Sequence, residues 1–344
     1  MLETKKLIVL DKYIQEVTDN EIIPAVNLSI LTKRGNWMCS HGKKQILPLS
    51  SPNSLDTLYD ISSLTMPYMT ATLILKLLEN DEINLDDKVN KYLSKFKEST
   101  TIIECLTHTS GIEDLSDSLK MTKENILKNI MNIKVNKKLK GKYNESWINY
   151  FLLGLIIENL KEGIDVYANE IMFEPMKMKR TFYDPEIMLK SNCACSHIVE
   201  GSAVCGDAID KYALLFDGKA GHAGVFITLQ DLSYYVTTMI NKGVFRDKVF
   251  FKEEQYNLLL NEYKDTGHTL SWIKGKKCNP IKELVSDDAL FYLGNTGCSV
   301  LIEPVKGYGI VFLSNPFHLN RDKEKFTEVL RETLKLAIDS INLN

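Results

Sequence analysis

Ser63 is the residue whose type and position best suit nucleophilic chemistry in this chain. It lies in the polar segment Asp60–Pro67 (DISSLTMP), directly before the apolar run Tyr68–Leu78 (YMTATLILKLL), which predicts a helix. At the start of a helix, free backbone N–H groups and the positive end of the helix dipole can stabilise a developing oxyanion. Serines that cap helices are far commoner than nucleophiles, so Ser62 or Ser63 could also be a simple N-cap.

Two further stretches carry polar groups that could act beside this serine. Glu145 offers a carboxylate in the segment Gly141–Asn149 (GKYNESWIN), which leads into an apolar helical run. The segment Gly294–Cys298 (GNTGC) combines an amide, a hydroxyl and a thiol. A serine hydroxyl needs a neighbouring base to become a good nucleophile, and the Glu145 carboxylate is a candidate for that base.

Two histidine-containing segments complete the pattern. Leu106–Ile112 reads LTHTSGI, and Gly218–Thr228 reads GKAGHAGVFIT. The glycine density of the second segment allows two backbones to approach closely. His108 and His222 could act as acids or bases.

In this order, the segments resemble the motifs of the serine β-lactamase and penicillin-binding-protein superfamily, in the branch of class C β-lactamase-related esterases and DD-peptidases. Ser63–Met66 stands at the Ser-x-x-Lys motif, in which the serine is acylated and the lysine moves its proton. Glu145–Trp147 stands at the Tyr-Ser-Asn loop, and Asn295–Gly297 stands at the Lys-Thr-Gly or His-Thr-Gly strand. The resemblance covers nearly the whole chain, and it implies that His108 and His222 are structural residues and not acids or bases.

The resemblance implies an α+β fold of the β-lactamase/transpeptidase type, with an antiparallel five-stranded sheet flanked by helices and an inserted, mostly helical lobe. Residues 1–62 and 205–344 would form a discontinuous sheet lobe. Residues 63–204 would form the helical lobe that carries the Ser63 helix. Ser63, Glu145 and Asn295 would meet in the cleft between the lobes.

The catalytic motifs depart from the family pattern at the groups that move protons or bind charge. Met66 replaces the lysine, Trp147 replaces the asparagine of the loop, and Asn295 replaces the cation of the strand. Glu145 stands at the tyrosine when the loop is aligned without a gap, whereas a short insertion would place Tyr143 there. The resemblance implies two groups of site residues. The catalytic candidates are Ser63 and Glu145, the binding candidates are Met66, Trp147, Asn295, Thr296 and Cys298, and the N–H groups of Ser63 and Cys298 would form the oxyanion hole.

These departures favour a β-lactamase-related family member that keeps Ser63, is catalytically impaired, and binds a small-molecule or peptide-like ligand in the cleft. In the alternative, the chain is an active serine hydrolase of the esterase, peptidase or β-lactamase type. Glu145, buried beside Trp147 and Met66, would then act as the base for Ser63. A purely structural or oligomerisation role has no positive feature in the sequence.

The bulk composition narrows the class of protein and its partners. The chain has 344 residues, of which 44% are hydrophobic and 25% are charged, as is ordinary for a globular protein. A net charge of −3 provides no basic field, which argues against nucleic acid as a partner. No apolar stretch approaches the roughly 20 residues of a membrane span. The apolar run Leu7–Leu10 is too short for a signal-peptide core.

The seven cysteines form an odd, scattered set, which favours reduced thiols and a cytoplasmic location. Cys193, Cys195, His197 and Cys205 lie close together in the sequence, but they match none of the usual zinc spacings. We therefore predict neither a metal site nor a cofactor.

Hydrophobic periodicity predicts the elements that position the site. Residues 5–19 and 120–135 have the spacing of amphipathic helices, and residues 326–341 predict a C-terminal helix. Val26–Ile30 alternates apolar and polar residues, as a half-buried strand does. A further strand is predicted around residues 37–39, and a hairpin is predicted over residues 299–315.

Overall fold

A computed structural model describes residues 1–116, 118–199, 201–319 and 322–342. Its strands are β1 (Ala25–Thr32), β2 (Gly35–Gln45), β3 (Ser51–Pro52), β4 (Tyr59–Asp60), β5 (Thr181–Tyr183), β6 (Cys195–Val199), β7 (Ser202–Cys205), β8 (Val225–Ile227), β9 (Val244–Phe245), β10 (Lys248–Val249), β11 (Ile273–Lys274), β12 (Leu290–Leu293), β13 (Ser299–Glu303) and β14 (Tyr308–Ser314).

The α-helices are α1 (Thr4–Asp19), α2 (Ala71–Glu79), α3 (Val89–Tyr92), α4 (Ile102–Leu106), α5 (Lys123–Met131), α6 (Trp147–Leu160), α7 (Ile164–Ala168), α8 (Glu174–Met176), α9 (Ile187–Lys190), α10 (Lys211–Leu215), α11 (Leu229–Ile240), α12 (Glu253–Leu260) and α13 (Lys323–Asp339). The predicted helices near both ends of the chain are therefore confirmed as α1 and α13, and the predicted surface helix is α5.

The main sheet is antiparallel and has seven strands in the order β11-β12-β13-β14-β1-β2-β3. The fold class is as predicted, but the expected count of five strands is wrong. The two additional strands, β3 and β11, lie at the sheet edges and have two residues each. Such short edge strands carry no alternation of apolar residues from which a sequence could predict them.

Helices cover both faces of the main sheet. On one face, Leu10 and Ile14 of α1 and Leu330 of α13 pack against Leu28 and Phe312 in a cluster that we call the outer core. The other face packs against α11 and continues into the cluster around the Ser63 turn, which we call the inner core.

Strand β1 is buried on both faces, so the prediction of a half-buried strand is wrong. Its polar side chains are buried with hydrogen-bond partners. Ser29 Oγ lies 2.8 Å from Ser233 Oγ of α11, and Asn27 Nδ2 donates to the carbonyl of Ser54 at 2.8 Å. Polar groups can be buried in a sheet when they are hydrogen-bonded in this way.

Helix α6 is nearly surrounded by other elements, which explains its almost continuously apolar sequence. Its closest approach is at Gly154, which faces Gly221. A Cβ on Gly221 would lie 2.1 Å from the carbonyl oxygen of Tyr150, so this contact requires glycine. Of the glycines noted in residues 218–224, Gly221 is therefore explained by packing against α6, whereas a Cβ on Gly224 would meet the carbonyl oxygen of Gly218.

The middle of the chain contains strands as well as helices. β4, β8 and β5 form a three-stranded sheet, and β6 pairs with β7. The division into lobes at residues 63 and 204 stays a prediction. No helix in the described part of the chain combines the length and the apolar character needed to cross a membrane.

Cys195 and Cys205 form a disulfide bond across the β6–β7 hairpin. The expectation that all seven thiols are reduced is therefore wrong for this pair. The other five cysteines are free and buried. Disulfides persist mainly in oxidising compartments, so the cysteines no longer argue for the cytoplasm.

Candidate active site

Ser63 lies in a short 3-10 helix, Ser62–Leu64, which continues through a π-helical turn, Met66–Thr70, into α2. The carboxylate of the buried Asp60 fixes this turn, because it accepts a 2.7 Å hydrogen bond from the N–H of Ser62. Ser62 has a φ of 43°, which is uncommon for a residue with a side chain. Non-glycine residues in this region cost of order 1–3 kcal/mol and cluster at functional sites.

Ser63 is partly exposed and meets the loop between β12 and β13. The backbone N–H of Asn295 donates to Ser63 Oγ at 3.3 Å. Gly294 makes this approach possible, because a Cβ there would lie 2.6 Å from the carbonyl oxygen of Ile61. The expected strand at Asn295–Gly297 is wrong: β12 ends at Leu293 and β13 starts at Ser299, so these residues lie in the connecting loop.

Glu145 joins Ser63 through a tyrosine that sequence reasoning missed. The hydroxyl of Tyr292, on β12, donates a 2.9 Å hydrogen bond to Glu145 Oε1. The Ser63 side chain lies close enough to the Tyr292 hydroxyl to lower its pKa. With the Asn295 contact, Ser63 Oγ therefore lies beside a phenol that is hydrogen-bonded to a carboxylate.

These contacts have a direction that suits proton transfer. Burial and the charge of Glu145 raise the pKa of Tyr292 well above its usual value, whereas the nearby Ser63 side chain lowers it. Tyr292 therefore remains a neutral phenol that donates to the carboxylate. Because Ser63 Oγ accepts from a backbone N–H, its own proton is available for donation to Tyr292.

A second tyrosine binds the other oxygen of the same carboxylate. The hydroxyl of Tyr143 donates to Glu145 Oε2 at 3.1 Å, and its ring stacks on His268 with centroids 3.5 Å apart. Burial and Glu145 raise the pKa of Tyr143. The alternative alignment placed Tyr143 against Ser63, but the structure directs its hydroxyl to Glu145.

His108 holds the backbone on both sides of Glu145. Its carbonyl accepts a 2.8 Å hydrogen bond from the N–H of Asn144, and its Nδ1 accepts one of 3.3 Å from the N–H of Ser146. The proton is then on Nε2, which lies 3.0 Å from Ser271 Oγ. Burial and the nearby His268 lower the pKa of His108 to about 3, so the ring is neutral. These are the contacts of a positioning residue, in line with the structural role predicted for His108.

Met66 and Trp147 do not enclose Glu145 as expected. Met66 is buried in the inner core with 2% of its surface exposed. Trp147 stacks on Tyr212 of α10, with ring centroids 4.1 Å apart, and lies beside His222. Glu145 itself is exposed, so the predicted burial of this carboxylate is wrong. Glu145 directly precedes Ser146, the N-cap of α6, and its side chain is exposed to solvent.

Thr296 and Cys298 belong to this loop, and their side chains are buried. Thr296 lines a cavity of about 10 Å³ together with Asp60 and Asn315, which is room for about one water molecule. The Cys298 thiol contacts the carbonyl of Asp60 at 3.7 Å, and burial raises its pKa to about 12, so it stays protonated. The carbonyl of Cys298 accepts from the N–H of Gly294 at 2.8 Å and closes the loop.

An open groove of about 360 Å³ lies beside the Ser63 turn. Ser62, Asn295, Lys211 and Phe317 line it, and Asn295 is exposed there. The structure therefore brings together Ser63, Asn295 and, through Tyr292, Glu145. Tyr292 precedes Asn295 by three residues, so its place near the predicted site could be seen in the sequence. Nothing in the sequence showed that its hydroxyl faces Ser63.

Comparisons with known proteins agree with this geometry. The Beta-lactamase family model matches residues 10–335. N-acetylmuramyl-L-alanine amidase of Bacillus subtilis (strain 168) is 24% identical, over 76% of this chain and 68% of that protein. A putative D-alanyl-D-alanine carboxypeptidase of Escherichia coli (strain K12) is 25% identical, over 90% of this chain and 82% of that protein.

Solved structures show the same fold. One class C beta-lactamase superimposes with a TM-score of 0.78 and 18% identity, over 96% of both chains. A second class C beta-lactamase gives a TM-score of 0.75 and 18% identity, over 96% of this chain and 98% of that one. At this level of identity the likeness concerns the fold.

Proposed function

Because the chain belongs to the Beta-lactamase family, we propose that it is a slow serine acyl hydrolase. Ser63 is the nucleophile, and Glu145 accepts its proton through Tyr292. The observation that carries this proposal is the 2.9 Å hydrogen bond from the Tyr292 hydroxyl to Glu145 Oε1, with the Ser63 side chain close enough to that hydroxyl to lower its pKa.

Tyr292 and Glu145 can together take the Ser63 proton and return it, the role that the lysine has in the family motif. As Ser63 Oγ bonds to the acyl carbon, its proton passes to Tyr292 Oη, and the phenol proton passes to Glu145 Oε1. The reverse transfer protonates the leaving group and yields the acyl-enzyme. Water then attacks the acyl carbon, the same groups take and return its proton, and Ser63 and the acid product are released. General acid–base assistance of this kind is typically worth about 10²–10⁴ in rate.

A carboxylate is a weaker base than the lysine that Met66 replaces, which is why we propose slow turnover. We therefore expect penicillins, a chromogenic cephalosporin and p-nitrophenyl esters to react more slowly than with family members that retain the lysine.

The names of the relatives support a substrate class. Because they are an N-acetylmuramyl-L-alanine amidase and a putative D-alanyl-D-alanine carboxypeptidase, we propose acyl bonds of alanine-containing peptides as substrates. The groove beside Ser63 would hold such a peptide, with the amide of Asn295 as a neutral hydrogen-bonding group. Because the Asn295 amide is uncharged, a peptide would bind there through hydrogen bonds and not through an ion pair.

A second candidate function is ligand binding without turnover. Met66 favours it, because the residue one turn after Ser63 has no titratable group and is packed in the core. In this case the groove would bind the same class of peptide, and Ser63 would stay unmodified.

The two candidates differ in whether Ser63 becomes acylated. Wild-type protein, Ser63→Ala and Glu145→Gln would be incubated with p-nitrophenyl acetate, and with a thioester ending in D-alanine. Adducts would be followed by intact mass and located by peptide mapping. The matched control is Glu124→Gln, an exposed glutamate on α5.

The hydrolase proposal expects a Ser63 adduct in wild type and in Glu124→Gln, none in Ser63→Ala, and formation slowed about 10²–10⁴-fold in Glu145→Gln. Equal rates in wild type and Glu145→Gln would remove Glu145 from the mechanism. Absence of any wild-type adduct, together with calorimetric binding of the peptide, would establish the binding candidate instead.

A further inference from the structure

Three metal-ligating side chains meet where α1 crosses strand β2, within the outer core. Cys39 and His41 are two residues apart on β2, so their side chains point to the same face of the sheet. Asp11 reaches them from α1, and its Oδ1 lies 2.8 Å from His41 Nε2. One ligand atom from each of the three residues lies within 4.8 Å of the other two.

The chemistry of these donors selects a class of ion. A thiolate sulfur, an imidazole nitrogen and a carboxylate oxygen are the ligands of zinc, whereas magnesium and calcium require oxygen ligands. Zinc bonds of 2.0–2.3 Å place tetrahedral ligand atoms roughly 3–4 Å apart, so small side-chain rotations would close the observed spacing. Three protein ligands leave the fourth position for water, as in open zinc sites.

We propose that Asp11, Cys39 and His41 bind a zinc-type divalent transition-metal ion. Solvent has access to the cluster, because the side chains of Asp11 and His41 are 41% and 21% exposed. Cys39 lies at its buried end, with 8% of its surface exposed. Among the described residues, this is the one group of histidine, cysteine and acidic side chains that meets this spacing.

The bound ion would tie α1 to the sheet. Leu10 and Ile14 already pack α1 against the outer core, and the ion would add a link at Asp11. The cluster is separate from the Ser63 turn, whose residues Leu64 and Met66 belong to the inner core. Metal binding is therefore expected to raise thermal stability and to leave acylation of Ser63 unchanged.

Cobalt(II) is the probe for this site, because its absorption spectrum reports both thiolate ligation and coordination geometry. The full-length protein, freed of metal and kept without thiol reductants, would be titrated with Co²⁺. The expected result is a thiolate-to-cobalt charge-transfer band with intense tetrahedral d–d bands, which Zn²⁺ displaces and Mg²⁺ does not. Zn²⁺ should also raise the Tm of the wild type.

Variants locate the ion. Cys39→Ser should abolish the charge-transfer band. His41→Gln and Asp11→Asn, at partly exposed positions, should weaken binding by at least the roughly 10–100-fold that loss of a partner outside the coordination sphere costs. Cys105→Ser, which removes a buried free thiol of α4, is the matched control and should bind as wild type.

The proposal fails if no thiolate band appears in the wild type. It also fails if the band survives in His41→Gln with unchanged affinity, or disappears in Cys105→Ser. In either of the first two cases, Asp11 and His41 are simply a surface hydrogen-bonded pair.

Discussion

The Tyr292 hydroxyl bonds the Glu145 carboxylate at 2.9 Å across 147 residues of sequence. The phenol is buried with 3% of its surface exposed, whereas the carboxylate faces solvent. Tyr292 therefore connects the interior of the site, at Ser63, to an oxygen that can exchange its proton with water. Such a geometry lets the proton leave the site without a buried charged base.

Removal of this hydroxyl is the most direct test of the path. Tyr292→Phe should preserve the ring in its buried position and slow acylation of Ser63 by about 10²–10⁴-fold, because proton transfer to Glu145 is interrupted. Stopped-flow measurement of p-nitrophenolate release gives the rate. Tyr143→Phe is the control, since that hydroxyl bonds Glu145 Oε2 on the other side of the carboxylate. Comparable losses in both variants would contradict a path through Tyr292.

His108 should affect acylation only through the loop that carries Glu145. His108→Ala removes the acceptor of the Ser146 N–H, and we expect it to cost about 1–3 kcal/mol of unfolding free energy and to slow acylation. A positioning residue has no effect once its target is gone, so His108→Ala should add little to Glu145→Gln. A double-mutant cycle on the acylation rate measures this.

The control for that cycle is Ile102→Ala, a buried apolar truncation in α4. It should lower stability to a similar degree and leave the acylation rate near that of wild type. Additive losses for His108→Ala and Glu145→Gln would show that His108 acts independently of the carboxylate.

The sequence predicted the parts of this site that local pattern determines. Ser63 follows a polar turn and precedes an apolar helix, and both features are within a few residues of it. The amphipathic spacing of α1 and α13 and the hairpin of β13 and β14 are also local, and the structure contains them.

The remainder depends on contacts between distant segments. Tyr292 faces Glu145 because of the register of β12 and the path of the loop before α6, and neither register nor path is encoded in a short window. The Cys195–Cys205 bond depends on the pairing of two short strands. Exposure of Glu145 depends on where Trp147 packs, and the sequence did not show that α10 would take up that ring.

Restoring the lysine alone should not restore fast catalysis. In Met66→Lys, an ammonium would enter the inner core, and an uncompensated buried charge typically costs about 3–5 kcal/mol. Met66→Leu, which nearly conserves volume, should cost less than about 1.5 kcal/mol. Urea unfolding compares the two variants, and ester hydrolysis by Met66→Lys should not exceed that of wild type. A stable Met66→Lys protein with faster acylation would contradict this account of the core.

Asp60 should make stability depend on pH in an unusual direction. Burial raises the pKa of this carboxyl from 3.8 to about 6, with the N–H groups of Ile209 and Ser62 acting against the rise. Because the folded protein then binds the proton more tightly than the unfolded chain, Asp60 favours folding fully below pH 4, and this contribution is lost as pH rises through 6. At 1.36 kcal/mol per pKa unit, the loss amounts to about 3 kcal/mol.

Comparison with Asp60→Asn isolates this contribution, because the amide is neutral at every pH and other titrating groups, His108 included, are common to both proteins. The amide retains one acceptor for the two N–H donors, which should cost a constant 1–3 kcal/mol or so. Urea unfolding between pH 4 and pH 7 should therefore show wild type losing about 2–2.5 kcal/mol relative to the variant as pH rises. A difference between the two proteins that is flat across this range would mean that Asp60 ionises in the fold as it does in water.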